Sequence, residues 1–548
     1  MKGKLIGILV ATLLIATAIP AVGTINKINN KASSSTQNSG VEWTQTYGGD
    51  EYDVFYDVDV TDDGGYIMSG NHEENGNYLP YILKADSNGN EQWNWTLREF
   101  EFNGTLYDVI DNWAPAIIQS SDGKFIACIY ILIDVEGEEI LIGGLVKFDT
   151  SGNVEWFSYI GEEEVWWCIP VEIIENEIEE YFVITGFGAY NGDPENDWSA
   201  LLVKTDLSGT IIDYEFYDYG TYQDQGYALC QTNDNGFLMT GPAYNTPGDC
   251  DYRMIKTDSN FDIETSNTFG RKSTDESFNN DCFQTEDGGY IMGGQSYESG
   301  KSIDAWIVRT DSDCNMIWNR SYGEKYSDTC WSMEMTDDDK YVICVTINFN
   351  GGTGDKEDTH LVKLDDDGKI EWIQINGGPD REVGISIKQT SDGGFIVAGR
   401  TGTSYSKDSD ARLVKFAPFD NEQPDKPDKP SGKKTVKVGI DNTYKSSASD
   451  SDEDDVYYLW DWGDGNFSDL LGPYNSGDIC EATYNWTVAG TYDIKVMTKD
   501  INGGESDWSD SLSVNVPRGR TTYNPFLLRL SESFPNAFLL LKYIFGFQ

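Results

Sequence analysis

Residues 61–70 read Thr-Asp-Asp-Gly-Gly-Tyr-Ile-Met-Ser-Gly, an Asp-Gly turn followed by an apolar segment that ends in glycine. Glycine accepts a positive φ and aspartate hydrogen-bonds its own backbone, so this pattern between apolar runs favours a β-hairpin. The same sequence pattern recurs along the chain in seven copies, one of them a degenerate copy near Asn176. The six clear turns begin at Asp63, Asp122, Asp234, Asp287, Asp338 and Asp392.

A second marker, Lys-x-Asp, follows most of these turns, as in Lys84-Ala-Asp86 and in the variant Arg309-Thr-Asp311. Another strand comes next and often carries tryptophan. Each copy therefore predicts four strands: a before the Asp-Gly turn, b after it, c ending in Lys-x-Asp, and d with the tryptophan. The c strand at residues 81–83 is apolar on consecutive residues, which indicates burial on both faces. Seven such sheets, about 50 residues apart, predict a seven-bladed β-propeller.

The two ends of the repeat region complement each other. The last copy ends with strand c at Arg412–Phe416, and the first begins with an unmatched strand d at Val41–Gly48. We expect the N-terminal strand to complete the seventh blade, because strand c would otherwise expose an unpaired edge.

The cadence of residues 41–418 resembles the secreted propeller repeats of archaeal and bacterial surface proteins. Those repeats run Tyr-Gly-Gly, Asp-Gly-Gly-Tyr-Ile-x-x-Gly, Lys-x-Asp-x-x-Gly-Asn and Trp. The resemblance implies the fold and leaves the ligand open, since one scaffold hosts many functions.

A second module follows a linker of Pro, Lys and Asp at residues 419–432. Residues 457–465 (Tyr-Tyr-Leu-Trp-Asp-Trp-Gly-Asp-Gly) and 489–496 (Ala-Gly-Thr-Tyr-Asp-Ile-Lys-Val) resemble a PKD domain. This resemblance implies an Ig-like β-sandwich over residues 433–517 that serves as an extracellular spacer or adhesive module without catalysis. The predicted fold class is therefore all-β, a seven-bladed β-propeller followed by a PKD-type sandwich.

The chain ends have their own signatures. Residues 1–23 combine a basic start with a short apolar core, which predicts a secretory signal peptide, with an uncleaved anchor as the alternative. Residues 24–40 are polar and predict a disordered spacer. The apolar tail at 518–548 is interrupted by charges, so it either docks on a membrane or cell envelope or packs on its own protein.

Charge and composition limit the function. Asp and Glu total 93 against 39 Lys and Arg, a formal net charge of −54 that repels nucleic acid and anionic lipid. Such a surface attracts cations or keeps a protein soluble in a salty medium. The two histidines exclude a three-histidine metal site. The nine cysteines contain no C-x-x-C motif, and their disulfide pairing stays open.

Ligand binding is expected on the face where the d–a and b–c loops meet. An aspartate recurs where strand a begins, and aromatic residues lie in these loops. A ring of such aspartates can hold a cation, whereas the alternative is that each aspartate caps its own loop. The candidate ligand-binding residues are Asp53, Trp166, Trp167, Tyr222, Asp224, Asp275, Asp328 and Asp380.

An acidic loop in the second module is a candidate Ca²⁺ site, since Ca²⁺ prefers carboxylate oxygens. The alternative is a solvated acidic loop. Its candidate ligands are Asp450, Asp452, Asp454 and Asp455.

These features predict a secreted or cell-surface binding or adhesion protein that is not an enzyme. The propeller would be the platform for an extracellular glycan or surface protein, the PKD module a spacer, and the chain a monomer. Two alternatives stay open: a secreted carbohydrate-active enzyme (glycosidase or lyase), and a structural surface-layer component. No catalytic residues are predicted, because no carboxylate pair stands out among so many acids. Ca²⁺ is the one cofactor considered.

Overall fold

The computed structural model divides the chain into two compact units, Met1–Phe419 and Asp420–Gln548. Among the described residues, no helix has the length and apolar character needed to cross a membrane. The predicted signal peptide and nearly all of the predicted tail lie outside the described residues. The structure describes residues 24–27, 40–102, 105–160, 167–176, 178–189, 198–218, 223–246, 249–270, 281–297, 303–323, 326–348, 356–403, 409–419, 422–451, 454–500, 504–518, 529 and 533.

The first unit is built from β-strands, most of them joined as antiparallel hairpins. Its strands are β1 (Thr24–Lys27), β2 (Val41–Tyr47), β3 (Asp53–Val60), β4 (Tyr66–Glu74), β5 (Asn77–Ala85), β6 (Glu91–Thr96), β7 (Glu99–Phe102), β8 (Thr105–Gln119), β9 (Phe125–Val135), β10 (Glu138–Phe148), β11 (Val154–Tyr159), β12 (Trp167–Asn176), β13 (Tyr181–Ala189), β14 (Trp198–Asp206), β15 (Ile211–Tyr217), β16 (Gln223–Asp224), β17 (Ala228–Gln231), β18 (Phe237–Thr246), β19 (Asp249–Thr257), β20 (Ile263–Phe269), β21 (Asp281–Gln284), β22 (Tyr290–Tyr297), β23 (Ile303–Thr310), β24 (Met316–Gly323), β25 (Thr329–Met335), β26 (Tyr341–Asn348), β27 (Glu357–Leu364), β28 (Ile370–Asn376), β29 (Arg381–Gln389), β30 (Phe395–Gly402) and β31 (Ser409–Phe416).

Within the described residues these strands form seven sheets in chain order: β3–β6, β7–β11, β12–β15, β16–β20, β21–β24, β25–β28, and β29–β31 with β2. We number them sheets 1 to 7. One strand of each sheet packs against the equivalent strands of both neighbouring sheets, and sheet 7 packs against sheet 1, so the contacts run around a closed cycle. These inner strands are β3, β8, β12, β17, β21, β25 and β29.

The N-terminal strand completes sheet 7, as the sequence predicts. Strand β2 pairs with β31 in antiparallel register, with Val41 opposite Phe416. The backbone N–H of Ala417 donates to the carbonyl of Gly40 at 2.7 Å and extends this pairing.

A difference from the sequence prediction lies just before that strand. Thr24–Lys27, inside the expected disordered spacer, form β1 and pair in parallel with β24 of sheet 5. The outer edge of β24 offers unpaired N–H and C=O groups, and a polar chain segment can satisfy them. The prediction of disorder therefore does not apply to these four residues.

The two sequence markers are bonded to each other. The hydroxyl of Thr61 donates to Asp63 Oδ1 at 2.5 Å, and Lys84 Nζ lies 3.0 Å from the same carboxylate. Because the lysine stem is buried and its ammonium needs a partner, the Asp-Gly turn and the Lys-x-Asp strand require each other. The equivalent pairs are Asp122–Lys147, Asp234–Lys256, Asp287–Arg309, Asp338–Lys363 and Asp392–Lys415.

The aromatic residues of the outer strands join one sheet to the next. Trp93 Nε1 donates to the carbonyl of Thr150 in sheet 2 at 3.2 Å, and Trp318 Nε1 donates to Asp366 in sheet 6 at 3.0 Å. The Tyr47 hydroxyl donates to the carbonyl of Gly89 at 2.5 Å. The recurring aromatic of strand d therefore bonds the c–d turn of the following sheet.

Where a glycine ends the apolar b segment, a close approach of the inner strand requires it. A Cβ at Gly70 would lie 1.9 Å from the carbonyl oxygen of Val54 on the inner strand, and one at Gly241 would lie 1.9 Å from that of Gln225. No side chain larger than hydrogen fits there without moving the backbone.

The second unit contains six strands within its described residues: β32 (Asn442–Ser447), β33 (Val456–Asp461), β34 (Leu471–Tyr474), β35 (Ile479–Tyr484), β36 (Gly490–Asp500) and β37 (Leu512–Val516). They form two sheets, β32–β35 and β34–β33–β36–β37. Aromatic side chains fill the core, and Trp460 and Trp486 are almost fully buried. The Trp462 and Tyr484 rings stack at 4.6 Å, so the predicted motif supplies much of this core.

The predicted linker packs on the second unit. The backbone N–H groups of Asp425 and Asp428 donate to the carbonyls of Ser449 and Ser447 at 2.8 Å. Residues 424, 427 and 430 are prolines and are buried. This period of three is the period of an extended polyproline segment, which here covers the edge of β32.

Candidate functional site

An aromatic patch joins sheets 7, 1 and 2. Its members are the partly exposed side chains Tyr52, Tyr56, Tyr78, Trp113, Tyr130 and Arg400. The Tyr56 and Trp113 rings stack with centroids 5.2 Å apart, and Tyr130 lies 5.9 Å from Trp113. Trp113 is 44% exposed, which is unusual for so large an apolar side chain on an inner strand.

Arg400 contacts the aromatic patch at one edge and fixes its rings there. The Arg400 guanidinium lies 5.5 Å from the centroid of the Tyr52 ring and also donates to its hydroxyl. Tyr52 in turn meets the edge of Tyr78 at 5.8 Å. A cation–π contact and a charge-assisted hydrogen bond therefore fix the orientation of these rings.

Irregular pairing of the inner strands accompanies the aromatic patch. The β3–β4 register shifts between Phe55 and Asp57, so Tyr56 is an extra residue in its strand. The β8–β9 register shifts after Trp113. Equivalent register shifts occur in the inner strands of sheets 3, 6 and 7, so the bulge belongs to the repeat, and the aromatic side chains are what distinguish sheets 1 and 2. Burial first, and then the nearby Tyr52, raises the pKa of Tyr56 well above its usual value, so its phenol stays neutral.

This combination of groups suits a sugar ring. Aromatic faces pack against the C–H faces of a pyranose, while the phenol hydroxyls and a guanidinium hydrogen-bond its hydroxyls. The rings are held by one another, so little side-chain entropy is lost when a ligand binds.

A second group, the inner acid cluster, lies where the inner strands converge. It contains the half-buried Asp57, Asp59, Glu172, Asp281, Glu334 and Lys388. Lys388 interacts electrostatically with acids of sheets 1, 5 and 6, and its Nζ lies 3.7 Å from Glu334 Oε2. Glu172 of sheet 3 interacts electrostatically with Asp57 and Asp281, which belong to sheets 1 and 5 and therefore do not adjoin sheet 3. These side chains therefore meet in the middle of the cycle.

Most of these carboxylates also bond the next sheet. Asp57 Oδ2 accepts from the N–H of Ile117 at 2.9 Å, and Asp281 Oδ2 accepts from that of Met333 at 2.7 Å. At the same position of sheet 7, the Ser386 hydroxyl oxygen accepts from Val58 N–H at 3.3 Å. A polar side chain here joins neighbouring inner strands, which gives the cluster a structural role.

The inner acid cluster has unusual proton affinity. Burial raises the pKa of Asp281 to about 7, although Lys388 opposes the shift. Burial likewise raises the pKa of Asp57 and Asp59, and that of Glu172 well above its usual value. The Glu334 carboxylate, in turn, raises the pKa of Lys388. The cluster is therefore partly protonated near neutral pH.

The predicted aspartates at the start of strand a bond within their own sheets. Asp53 accepts from Gly49 N–H at 2.8 Å and contacts His72 Nδ1 at 2.5 Å. Asp328 accepts from Asn348 N–H at 2.9 Å, and Asp224 lies 3.4 Å from Arg253. Asp380 is exposed. None of these described contacts brings the four aspartates together.

Several other predicted residues are not described. Trp166, Tyr222 and Asp275 lie outside the described residues, as does Asp452 of the acidic loop. Trp167 begins β12, and its side chain is also outside the description.

The remaining members of the acidic loop are described. Asp450 is 4% exposed, and its Oδ1 accepts from the N–H of Asp454 at 3.3 Å. Burial raises the pKa of Asp455, and nearby Asp478 adds to the shift. Within the described part of the chain, no group of three or more His, Cys, Asp and Glu side chains is arranged to hold a metal ion.

A carboxylate pair lies between sheets 6 and 7. Asp358 and Glu382 lie beneath the consecutive residues Gly377 and Gly378, where an added Cβ would meet their carboxylates at 2.5 and 2.6 Å. Burial raises the pKa of Glu382 to about 7, against the influence of Arg412. Both acids are less than 8% exposed, so a polymeric substrate does not reach them in this conformation.

The two histidines have separate environments. A hydrogen bond to Asp53 raises the pKa of His72. His360 is fully buried, and this burial lowers its pKa to about 3. Neither lies in the aromatic patch or in the inner acid cluster.

Sequence reasoning missed both groups. Polar residues at Asp57, Asp59 and Glu334 in strands with apolar neighbours were the available signal for the acid cluster. The aromatic patch depends on bulges, which leave no clear trace in the sequence.

No protein-family model matches the chain, and no curated protein matches it. Among solved structures, the chain is similar to the PKD domain of an M14-like peptidase from a Thermoplasmatales archaeon, with 31% identity over 18% of this chain and 100% of that one and a TM-score of 0.17. It is also similar to the S. cerevisiae core factor, with 9% identity over 76% of this chain and 57% of that one and a TM-score of 0.28. A bifunctional GH43-CE protein of Bacteroides eggerthii gives 8% identity over 74% and 58%, with a TM-score of 0.27. The chain therefore spans a little over half of the last two proteins and the whole of the archaeal PKD domain.

Proposed function

We propose that this chain is a secreted or cell-surface binding or adhesion protein, not an enzyme, that recognises an extracellular glycan. In this proposal the seven sheets are the blades of a seven-bladed β-propeller, and the second unit is a PKD-type spacer. The function is carried by the aromatic patch, in which an exposed tryptophan is stacked and braced by tyrosines and an arginine.

The fold part of the proposal is supported by the contacts of the inner strands. They run from sheet to sheet and back from sheet 7 to sheet 1, and acids from separated sheets meet near Lys388. For the second unit, support comes from two small sheets packed over the aromatic residues of the Trp-Asp-Trp-Gly-Asp-Gly segment.

Ligand recognition follows from the exposure of the patch. Trp113 presents much of its ring to solvent, and the neighbouring Tyr56 and Tyr130 offer hydroxyls beside it. A water-exposed aromatic surface of this kind is costly unless a partner covers it. The net charge of −54 favours a neutral or cationic ligand over an acidic polysaccharide.

The test is a glycan array probed with the full chain, followed by titration of each hit. We expect a neutral oligosaccharide to bind and the Trp113→Ala variant to lose at least tenfold in affinity. The matched control is Phe467→Ala, which removes an aromatic of similar exposure from the second unit and should bind normally. Equal binding by the wild type and the Trp113 variant, or no hit on the array, would refute the proposal.

The enzyme alternative has one observation in its favour, the Asp358–Glu382 pair with its raised proton affinity. A carboxyl group that stays protonated near neutral pH beside a second carboxyl group is what a glycosidase needs for its general acid. Hydrolysis of an oligosaccharide by the wild type and its loss in Glu382→Gln would replace the binding proposal with this one.

A further inference from the structure

Two thiols lie side by side where sheets 4 and 5 meet. Cys230 is on the inner strand β17 and Cys282 is on the inner strand β21, and these strands pack against each other. Both cysteines carry free thiols in this structure. They come from different sheets, so a covalent bond between them would join two elements that otherwise share only packing and hydrogen bonds.

A strand pairing and a hydrogen bond bring the two cysteines close to the same residue, Leu238. Cys230 pairs directly with Leu238 across the β17–β18 hairpin. The Cys282 thiol donates a hydrogen bond to the carbonyl of that same Leu238, with Sγ and O 3.7 Å apart. Cys230 packs against the apolar cluster that contains Cys282.

The two thiols differ in access. Cys282 is 3% exposed, whereas Cys230 is half-buried. Burial, the Cys230 thiol and the Asp281 carboxylate together raise the pKa of Cys282 well above its usual range. A reagent from solution therefore meets Cys230 first, and Cys282 reacts second from inside the protein.

We propose that Cys230 and Cys282 are the site of a reversible disulfide that joins sheets 4 and 5, formed by exchange with a small-molecule disulfide. The Cys230 thiolate attacks one sulfur of the small disulfide, whose S–S bond breaks and releases one thiol. The Cys282 thiolate then attacks Cys230 Sγ in the mixed disulfide and releases the second thiol. Two protein thiols are oxidised, one small disulfide is reduced to two thiols, and the two cysteine protons pass to the released thiolates.

The bond would close a loop of about 50 residues that spans most of sheet 4. Closing such a loop restricts the unfolded chain, so the oxidised protein should melt roughly 5 °C higher than the reduced one. The proposal does not depend on the glycan site, because the aromatic patch lies on other sheets.

The test uses the full chain, incubated with oxidised glutathione or with dithiothreitol, then alkylated, digested and mapped by mass spectrometry. We expect a Cys230–Cys282 linked peptide after oxidation, its loss after reduction, and the rise in melting temperature. Cys230→Ser and Cys282→Ser should each abolish both effects. The matched control is Cys480→Ser, a buried cysteine of the second unit, which should keep both.

Two results would overturn the proposal. One is a wild-type map in which both cysteines are alkylated, or Cys230 carries only glutathione, after full exposure to the oxidant. The other is a link between different cysteines. The wild-type map decides the matter even when a serine variant folds poorly.

Discussion

The turns of the seven sheets and their inner strands follow opposite rules. At six of the seven turns the same bonds recur, with a hydroxyl and a buried cation holding one aspartate, as in Thr61, Asp63 and Lys84. On the inner strands, the position four residues before Thr61 and its equivalents changes from sheet to sheet: Asp57, Ala116, Glu172, Ala228, Asp281, Ser332 and Ser386. Repetition therefore marks the residues that build a sheet, and variation marks those that give one sheet a property of its own.

The largest loss of stability is expected at a glycine of strand b that lies against the backbone of the neighbouring segment. Gly241→Ala places a Cβ 1.9 Å from the carbonyl oxygen of Gln225, so the inner strand must move away. We expect a loss of about 3 kcal/mol in the free energy of unfolding, measured by urea denaturation. Gly49→Ala is the control, because its Cβ would meet no atom closer than 4.0 Å. Similar losses in both variants would remove the distinction between repeated and variable positions.

A repeated ion pair should come next. Lys256 Nζ lies 2.9 Å from Asp234 and 2.6 Å from Glu264, with its stem buried. Lys256→Met should cost about 2 kcal/mol, less than a fully buried pair because both carboxylates are half exposed. The bonds from Thr232 and Lys256 lower the pKa of Asp234 to about 2, so their contribution is present at pH 5 and lost as the pH falls towards 2.

The matched control for this pair is Lys369→Met, which removes an exposed ammonium and should change stability by less than about 0.5 kcal/mol. If the free energy of unfolding of the Lys256 variant falls as much as that of the wild type between pH 5 and pH 2, the Asp234–Lys256 pair is not the source of that loss.

The variable inner strands should respond to pH in the opposite direction. The pKa of Asp281 is raised to about 7, so the stability it contributes is complete below about pH 4 and is lost as the pH rises through 7. Asp281→Asn stays neutral and should lose less stability between pH 4 and 8, by about 1–2 kcal/mol after screening by water near these half-buried groups. The measurement is urea denaturation at several pH values. If the free energy of unfolding falls equally with pH in the wild type and in Asp281→Asn, Asp281 is not the group responsible.

The smallest change in stability is expected in the aromatic patch. Trp113→Ala removes a ring that is 44% exposed and therefore about half buried, so the free energy of unfolding should fall by about 1 kcal/mol, the lower end of what its buried apolar area contributes. Thermal denaturation measures this directly. A large loss would mean that Trp113 is a core residue whose variation between sheets has a structural cause.

Much of the strand order could be predicted from the sequence, because turn chemistry and alternation of apolar residues are local. The Asp-Gly and Lys-x-Asp markers located the hairpins, and the pairing of Val41 with Phe416 followed from counting strands. The bonds between the two markers could not be read from spacing, yet they explain why both recur.

The site was less predictable, since it depends on contacts between sheets. The stack of Tyr56 on Trp113 joins two sheets, and the two residues are more than 50 positions apart in the chain. The meeting of Asp57, Glu172 and Asp281 requires the cycle of inner strands, which no single repeat contains. The polyproline segment was predicted as a linker because proline spacing reveals a conformation but not the surface on which it lies.

The β2–β31 pair also has a mechanical consequence. Gly40 and Ala417 lie at the same end of this antiparallel pair, so the chain enters sheet 7 at β2 and leaves it at β31 side by side. Tension applied between these two points would load the hydrogen bonds one after another, as a zipper opens, instead of all at once in shear. A protein pulled between these two points would therefore yield at this strand pair, at low force, and could re-form the pair when the load is released.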